Sequence, residues 1–263
     1  MKEITIYQLD AFSSDLFGGN PAAVCPLDTW LDDDLLQKIA AENNLSETAF
    51  FVEEGDGYRL RWFTPVVEVT LCGHATLATA QVVFDHIEPT AQRLVFESLS
   101  GALVVTRVGQ ELTLDFPALP PLHEAPDKNI LAPLGQVPEQ SYKIREVHGA
   151  PYVLAVYATE ADVAALKPDF SHLQANVIAT APGENVDFVS RFFAPCSGIA
   201  EDPVTGSAHC TLMPYWAQRL GKSELRARQI SKRGGDLLCR LEGERVLLTG
   251  RCAYYMRGEI RLP

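Results

Sequence analysis

Four residues of this chain stand where chemistry could occur: Glu47, as a candidate to move a proton, His74 and Ser207, as side-chain hydrogen-bond partners, and Asp202, in a loop before a helix. Glu47 lies in Asn43-Asn44-Leu45-Ser46-Glu47-Thr48-Ala49-Phe50-Phe51, where a helix meets an apolar strand. A carboxyl packed against Ala49, Phe50 and Phe51 is stripped of water, and desolvation moves a carboxyl toward the range useful for proton transfer. The plainer alternative is a solvated acid at the start of a strand. His74 and Ser207 each follow a glycine, Gly73 and Gly206, that opens a helix. The first N–H groups of a helix have no partner within it and sit at the positive end of its dipole. Two such ends can hold a carboxylate or stabilise an enolate. The same glycines also serve as tight turns under packed helices, and His74 as a helix cap. Asp202, in Glu201-Asp202-Pro203-Val204-Thr205-Gly206-Ser207-Ala208-His209, is either a reactive carboxylate or a loop acid. Asn20 reads as a turn residue before Pro21, and Arg61 and Arg191 as solvated strand residues.

A repeat places these residues. Gly19-Asn20-Pro21 recurs as Gly149-Ala150-Pro151, and Arg61-Trp62-Phe63-Thr64-Pro65 as Arg191-Phe192-Phe193-Ala194-Pro195, both displaced by 130 positions. Gly73-His74-Ala75 answers to Gly206-Ser207-Ala208 at 133, and Gly101 and Gly109 to Gly235 and Gly243 at 134. Glycines and prolines in one order over half the chain indicate a duplicated unit, with a short insertion before the second glycine motif. Two similar lobes are expected to face each other across a cleft. Glu47 falls opposite Val177, so the halves are alike in frame and unlike in chemistry.

Within the first half the pattern predicts a strand near Ile4–Leu9 and a helix from about Asp32 to Asn43. Asp32, Asp33 and Asp34 crowd the start of that helix, where its dipole favours negative charge. Strands Thr48–Val52 and Tyr58–Phe63 follow, joined by Gly55-Asp56-Gly57. A helix from Gly73 to about Phe84 has almost no polar face and must be surrounded. Strands near Arg93–Glu97, Leu103–Arg107 and Glu111–Phe116 can wrap it. The second half repeats the plan with helix Ser207–Leu220, where Pro214 should release one hydrogen bond to Cys210 and Gly221 should end the helix. Pro117 to Pro133 reads as a linker, and Tyr254–Leu262 as one more strand.

With 34 acidic against 22 basic residues the net charge is −12, which repels a phosphate backbone and argues against nucleic acid. No apolar run approaches a membrane span, and the opening residues alternate like a strand, unlike a signal peptide. A cytoplasmic location is expected. Cys25, Cys72, Cys196, Cys210, Cys239 and Cys252 include no CxxC pair and read as reduced thiols. The sequence shows no HExxH pairing, calcium loop, GxGxxG or Walker motif. No metal, nucleotide or flavin is expected.

Together these segments resemble the PhzF-type phenazine biosynthesis protein family, which shares the fold of diaminopimelate epimerase. The matching stretches are FGGNPAAV at Phe17 to Val24, NLSETAFF at Asn44 to Phe51, RWFTPVVEVTLCGHATLA at Arg61 to Ala78 and GIAEDPVTGSAH at Gly198 to His209. The match continues through PYWAQRLGK and the RGG at Arg233 to Gly235. The resemblance implies an α+β fold of two pseudo-symmetric lobes, each a mainly antiparallel barrel-like sheet around a central helix. The first lobe is expected at 1–117, completed by a terminal strand at 253–263, and the second at 118–252. The implied activity is a cofactor-independent isomerisation by acid/base proton transfer on a small, amino-acid-like carboxylate, in a homodimer. Glu47, His74 and Asp202 would be catalytic, and Asn20, Ser46, Gly73, Gly206 and Ser207 would contact substrate. Two rival readings remain at this point. Cys72 precedes Gly73 as the first catalytic cysteine does in epimerases of this fold, which suggests a cysteine-dependent racemase, although Asp202 takes the place of the second cysteine. The other rival is a binding protein for small carboxylates that does not turn them over.

Overall fold

The computed structural model describes residues 3–147 and 150–262. Gly149, and with it part of the second Gly-x-Pro motif, lies outside the described residues. The chain forms two compact units, one of Met1–Asp115 with Thr249–Pro263 and one of Phe116–Leu248.

In the first unit, β1 (Glu3–Ala11) runs antiparallel to β2 (Asn20–Pro26), and α1 (Asp33–Asn43) carries the chain over to β3 (Glu47–Glu54), parallel to β2. The β3–β4 hairpin (β4, Gly57–Phe63) turns at Gly55, and a short β5 (Glu68–Val69) pairs back onto β4. Helix α2 (Gly73–His86) then crosses to β6 (Arg93–Ser98), parallel to β4, and β7 (Gly101–Val108) and β8 (Glu111–Pro117) follow as an antiparallel meander. Every residue of α2 from Gly73 to Phe84 is buried, against β1, β2 and β3 among others. Its hydroxyls are satisfied within the helix: Thr76 donates to the Cys72 carbonyl and Thr79 to that of Ala75. A second cluster seats α1 through Leu36, Ile39 and Ala40 against Ile4, Ala23, Phe50 and Phe63.

The second unit repeats these connections. After a short helix α3 (Lys128–Leu131) inside the proline-rich segment, β9 (Gln140–Val147) pairs antiparallel with β10 (Ala150–Val156). Helix α4 (Glu160–Ala164) leads to β11 (Asn176–Pro182), parallel to β10. Next come β12 (Phe188–Ala194), the short β13 (Ile199–Asp202) and α5 (Gly206–Leu220), which crosses to β14 (Glu224–Gln229), parallel to β12. Strands β15 (Gly235–Glu242) and β16 (Arg245–Gly250) close the unit. Pro214 lies inside α5, and the Cys210 carbonyl it leaves unpaired accepts the N–H of Leu119 at 2.9 Å. The proline-rich segment is thus anchored where it passes α5. The last strand, β17 (Cys252–Arg261), pairs with β1 from Glu3↔Arg261 to Ala11↔Cys252.

The two halves share an α+β plan of antiparallel hairpins linked by two parallel crossovers, with the second crossover helix buried among strands.

Candidate active site

The register places Glu47 at the first residue of β3, opposite Ala22 of β2. Its position on a buried strand leaves it 9% exposed, so the desolvated alternative describes it and the solvated one does not. Asn20 opens β2 opposite Ala11, and is therefore a strand residue where a turn residue was expected. The turn belongs to Gly19, whose φ of +61° and close approach to the Ala11 carbonyl leave no room for a Cβ. His74 is the second residue of α2 and is 3% exposed.

Glu47, Asn20 and His74 meet although they are far apart in sequence. His74 Nε2 lies 3.1 Å from Glu47 Oε2, and Nδ1 lies 3.1 Å from Asn20 Nδ2 and 3.5 Å from Cys72 Sγ. His74 is therefore not a helix cap, since α2 has no side-chain cap and the ring faces the carboxylate. Neither Nε2 nor Oε2 is aligned for a hydrogen bond, so the contact is one of charge between two buried polar atoms. Burial works against the imidazolium, but the Cys72 sulfur and the Glu47 carboxylate more than offset it and raise the His74 pKa well above the ordinary value. Burial, assisted by Glu47, pushes the Cys72 thiol up to about 11. The thiol is therefore mostly protonated at neutral pH. Ser46 immediately precedes Glu47 and is half-buried.

Glu47, Cys72 and His74 offer ligand atoms within 4.8 Å of one another, the one such group among the described residues. The donor types suit zinc, a possibility that sequence spacing did not reveal. Cys72 lies by Nδ1 and Glu47 by Nε2, however, and the lone pairs of those nitrogens diverge. An ion on either nitrogen would sit beside only one of the other donors, so the trio does not fit a chelate.

The other expected residues gather in the second unit. Asp202 ends β13 and is 7% exposed. Its Oδ2 accepts the Thr205 hydroxyl at 2.5 Å. Gly206 opens α5 and is buried. Ser207 is half-buried, and burial raises the pKa of the nearby Tyr152 hydroxyl. His209 donates from Nδ1 to the Thr205 carbonyl at 2.7 Å, and burial lowers its pKa to about 4. Thr205, Gln229, Tyr152 and His209 were missed in the sequence reading. For Gln229 a signal exists: the alternation of β14 puts Leu225, Ala227 and Gln229 inward, one polar residue in an apolar register.

The two arginines are also not solvated side chains. Arg61 Nε and Nη2 hold Glu68 at 2.7 and 2.8 Å, and Arg191 Nε and Nη2 hold Glu201 at 2.7 and 2.9 Å. Each guanidinium also lies over a strand neighbour, Phe63 or Phe193. Two carboxylates that each accept both arms of a planar fork, on the short strands just before Cys72 and Asp202, account for the retention of arginine in both halves.

The sequence profile of the phenazine biosynthesis-like protein family matches residues 9–258. A Pseudomonas aeruginosa protein named as an uncharacterized isomerase is 51% identical over 264 residues, covering 99% of each chain. The crystal structure of a PhzF-family phenazine biosynthesis protein from Enterococcus faecalis superposes with a TM-score of 0.93 at 45% identity, over 99% of this chain and 100% of that one. A hydroxyproline epimerase from Agrobacterium vitis, at 12% identity, 98% and 92% coverage and a TM-score of 0.63, shares the fold.

Proposed function

Because this chain belongs to the phenazine biosynthesis-like protein family, we propose that it is a cofactor-independent isomerase that moves a proton along a small, amino-acid-like carboxylate. The observation that carries this reading is the buried contact of Glu47 with His74. In the proposed step the Glu47 carboxylate takes a proton from a carbon next to an electron-withdrawing group. The electron pair left behind delocalises into the substrate, and Glu47 returns the proton at another carbon. No atom is gained or lost. The His74 ring lies against the Glu47 carboxylate at 3.1 Å, and a base of this kind contributes about 10²–10⁴-fold. In this reading N–H groups at Gly73, with Asn20 and Ser46, hold the substrate carboxylate, and the family resemblance assigns substrate contact to Gly206 and Ser207 as well. Asp202 retains the catalytic role that the family resemblance implies.

The cysteine-dependent alternative draws on the Cys72–His74 approach. A thiol pushed up to about 11 is a poor base at neutral pH, which favours Glu47.

The test is isotope exchange. Dialysed, chelator-treated protein is incubated in heavy water with a panel of amino acids and cyclic amino-acid-like carboxylates, and deuterium uptake is followed by NMR and mass spectrometry. Stereospecific uptake with migration of a double bond is the expected result. Binding without exchange across the panel would favour a carboxylate-binding protein, and exchange restored only by an added cofactor would reject the cofactor-free mechanism.

A further inference from the structure

We propose that Gln229 is the positioning residue for the turn from Asp202 to Thr205, and through it for the Asp202 carboxylate. The proposal rests on the reading of Asp202 as a site residue. Gln229 ends β14 and is fully buried. A buried amide left without partners destabilises a fold substantially. Here both ends of the amide are used on one turn that lies more than twenty residues earlier in the chain. Oε1 accepts the Thr205 N–H at 2.8 Å, while Nε2 donates to the Asp202 carbonyl at 2.7 Å and to Thr205 Oγ1 at 3.2 Å. Because Oγ1 accepts from Gln229, its own proton is directed to Asp202 Oδ2. One side chain thus fixes the backbone on both sides of the turn and the direction of the hydroxyl that meets the carboxylate. Ser231 Oγ adds a hold on the Pro203 carbonyl at 2.7 Å, from the residue two beyond Gln229.

An amide is needed because it accepts and donates together. Ionised glutamate can only accept, and protonated glutamate can do both. This difference separates positioning from mere filling of space. The experiment uses the full chain without ligand, labelled for NMR, as wild type, Gln229→Glu and Gln229→Met. In Gln229→Met the Thr205 amide should exchange with solvent about tenfold faster than in wild type, as loss of one buried hydrogen bond implies, while the amides of Leu237 and Cys239 in β15 keep their rates. In Gln229→Glu the ratio to wild type should be large at neutral pH and return toward one as the glutamate protonates. Asp202 and His209 face the same turn, so Gln229→Met, which adds no titrating group, is followed over the same pH range, and only a recovery confined to Gln229→Glu counts. If Thr205 exchange is unchanged in both variants, or if the whole unit loses protection with no recovery at low pH, the proposal fails. Should Gln229→Met not fold, the pH response of Gln229→Glu decides alone. A second arm measures deuterium uptake into the compound found by isotope exchange. Turnover of Gln229→Glu should fall about tenfold at neutral pH with KM unchanged, and recover with the same pH dependence. Altered Thr205 exchange with unaltered turnover would remove Asp202 from the reaction, and unaltered Thr205 exchange would remove Gln229 from positioning whatever turnover does.

Discussion

At the scale of single residues, the proposed chemistry rests on an acid, an imidazole and an amide that meet in one buried cluster. When His74 is neutral, Nδ1 can accept from the Asn20 amide; when it is charged, the same nitrogen donates and the amide must present its oxygen. Asn20 therefore has to follow the charge of His74. Glu47→Gln preserves the shape and loses the ability to carry a proton, so isotope exchange into the substrate should fall at least about 10²-fold while binding persists. Cys72→Ser should retain most of that exchange. The reverse order of effects would transfer the base from Glu47 to the thiol. The same pair predicts a slope of stability with pH. A histidine whose pKa is higher folded than unfolded stabilises the fold fully below its unfolded value, about 6.5, and that contribution is lost as pH rises through the folded value. The His74 value is raised, so the advantage of wild type over His74→Gln in urea denaturation should shrink as pH climbs from about 6.5. An advantage that grew with pH would contradict the Glu47–His74 charge contact. The types and settings of Glu47 and His74 were legible in the sequence, whereas their contact was not. It depends on the parallel register that sets Glu47 beside Ala22 and on the first turn of α2, and neither is a local property.

At the scale of elements, duplication is visible in what each arginine grips. Arg61 and Arg191 correspond at an offset of 130, and the acids they hold, Glu68 and Glu201, at 133. A 3₁₀ turn at Pro195–Ser197 takes up the difference. Each fork also reaches the preceding crossover helix: Arg61 Nη1 contacts Asp33 at the start of α1, and Arg191 Nη1 donates to the Leu166 carbonyl just past α4 at 2.8 Å. Strand alternation located both arginines but could not reveal partners on neighbouring strands, which is why they read as solvated. The helices were more legible, since the apolar stretch of α2 and the Gly221 stop of α5 are local signals. In α5, His209 ties the first turn to the Thr205 carbonyl and is held neutral by burial. Its pKa is lowered to about 4 folded, against about 6.5 unfolded. The resulting stability, on the order of 3 kcal/mol, is present above the unfolded value and lost as pH falls toward the folded one. Wild type should therefore lose more stability than His209→Gln between those values, measured by urea midpoints. Parallel curves for the two proteins would show that His209 takes up its proton without unfolding α5.

At the scale of the whole molecule, chain order and unit membership part company at the C-terminus. The last residues were legible as a strand expected to complete the first lobe, but nothing in them names the strand they pair with. That partner is β1, paired along its full length from Glu3 to Ala11, so the last strand belongs to the unit begun by the first. The pairing is reinforced by side chains. Tyr7 meets Tyr254 edge-on at 6.3 Å and lies under Arg257, while Leu262 is buried with Ile4, Ile6 and Leu36. Each ladder bond contributes only about 0.5–1.5 kcal/mol net, yet a strand of ten residues brings several, together with the burial of Leu262. Their sum is comparable to the whole stability of a typical domain, about 5–15 kcal/mol. Deleting Cys252–Pro263 should therefore unfold the unit that contains Glu47 and His74. In hydrogen exchange followed by mass spectrometry, peptides from β1, β2 and α2 should lose protection, while those from β11, β12 and α5, whose partners lie within residues 116–248, should keep it. If β1 and α2 remained protected in the shortened chain, the closing strand would be an ornament on a unit already complete without it, and the position of Glu47 would have to be set by β2 and α2 alone.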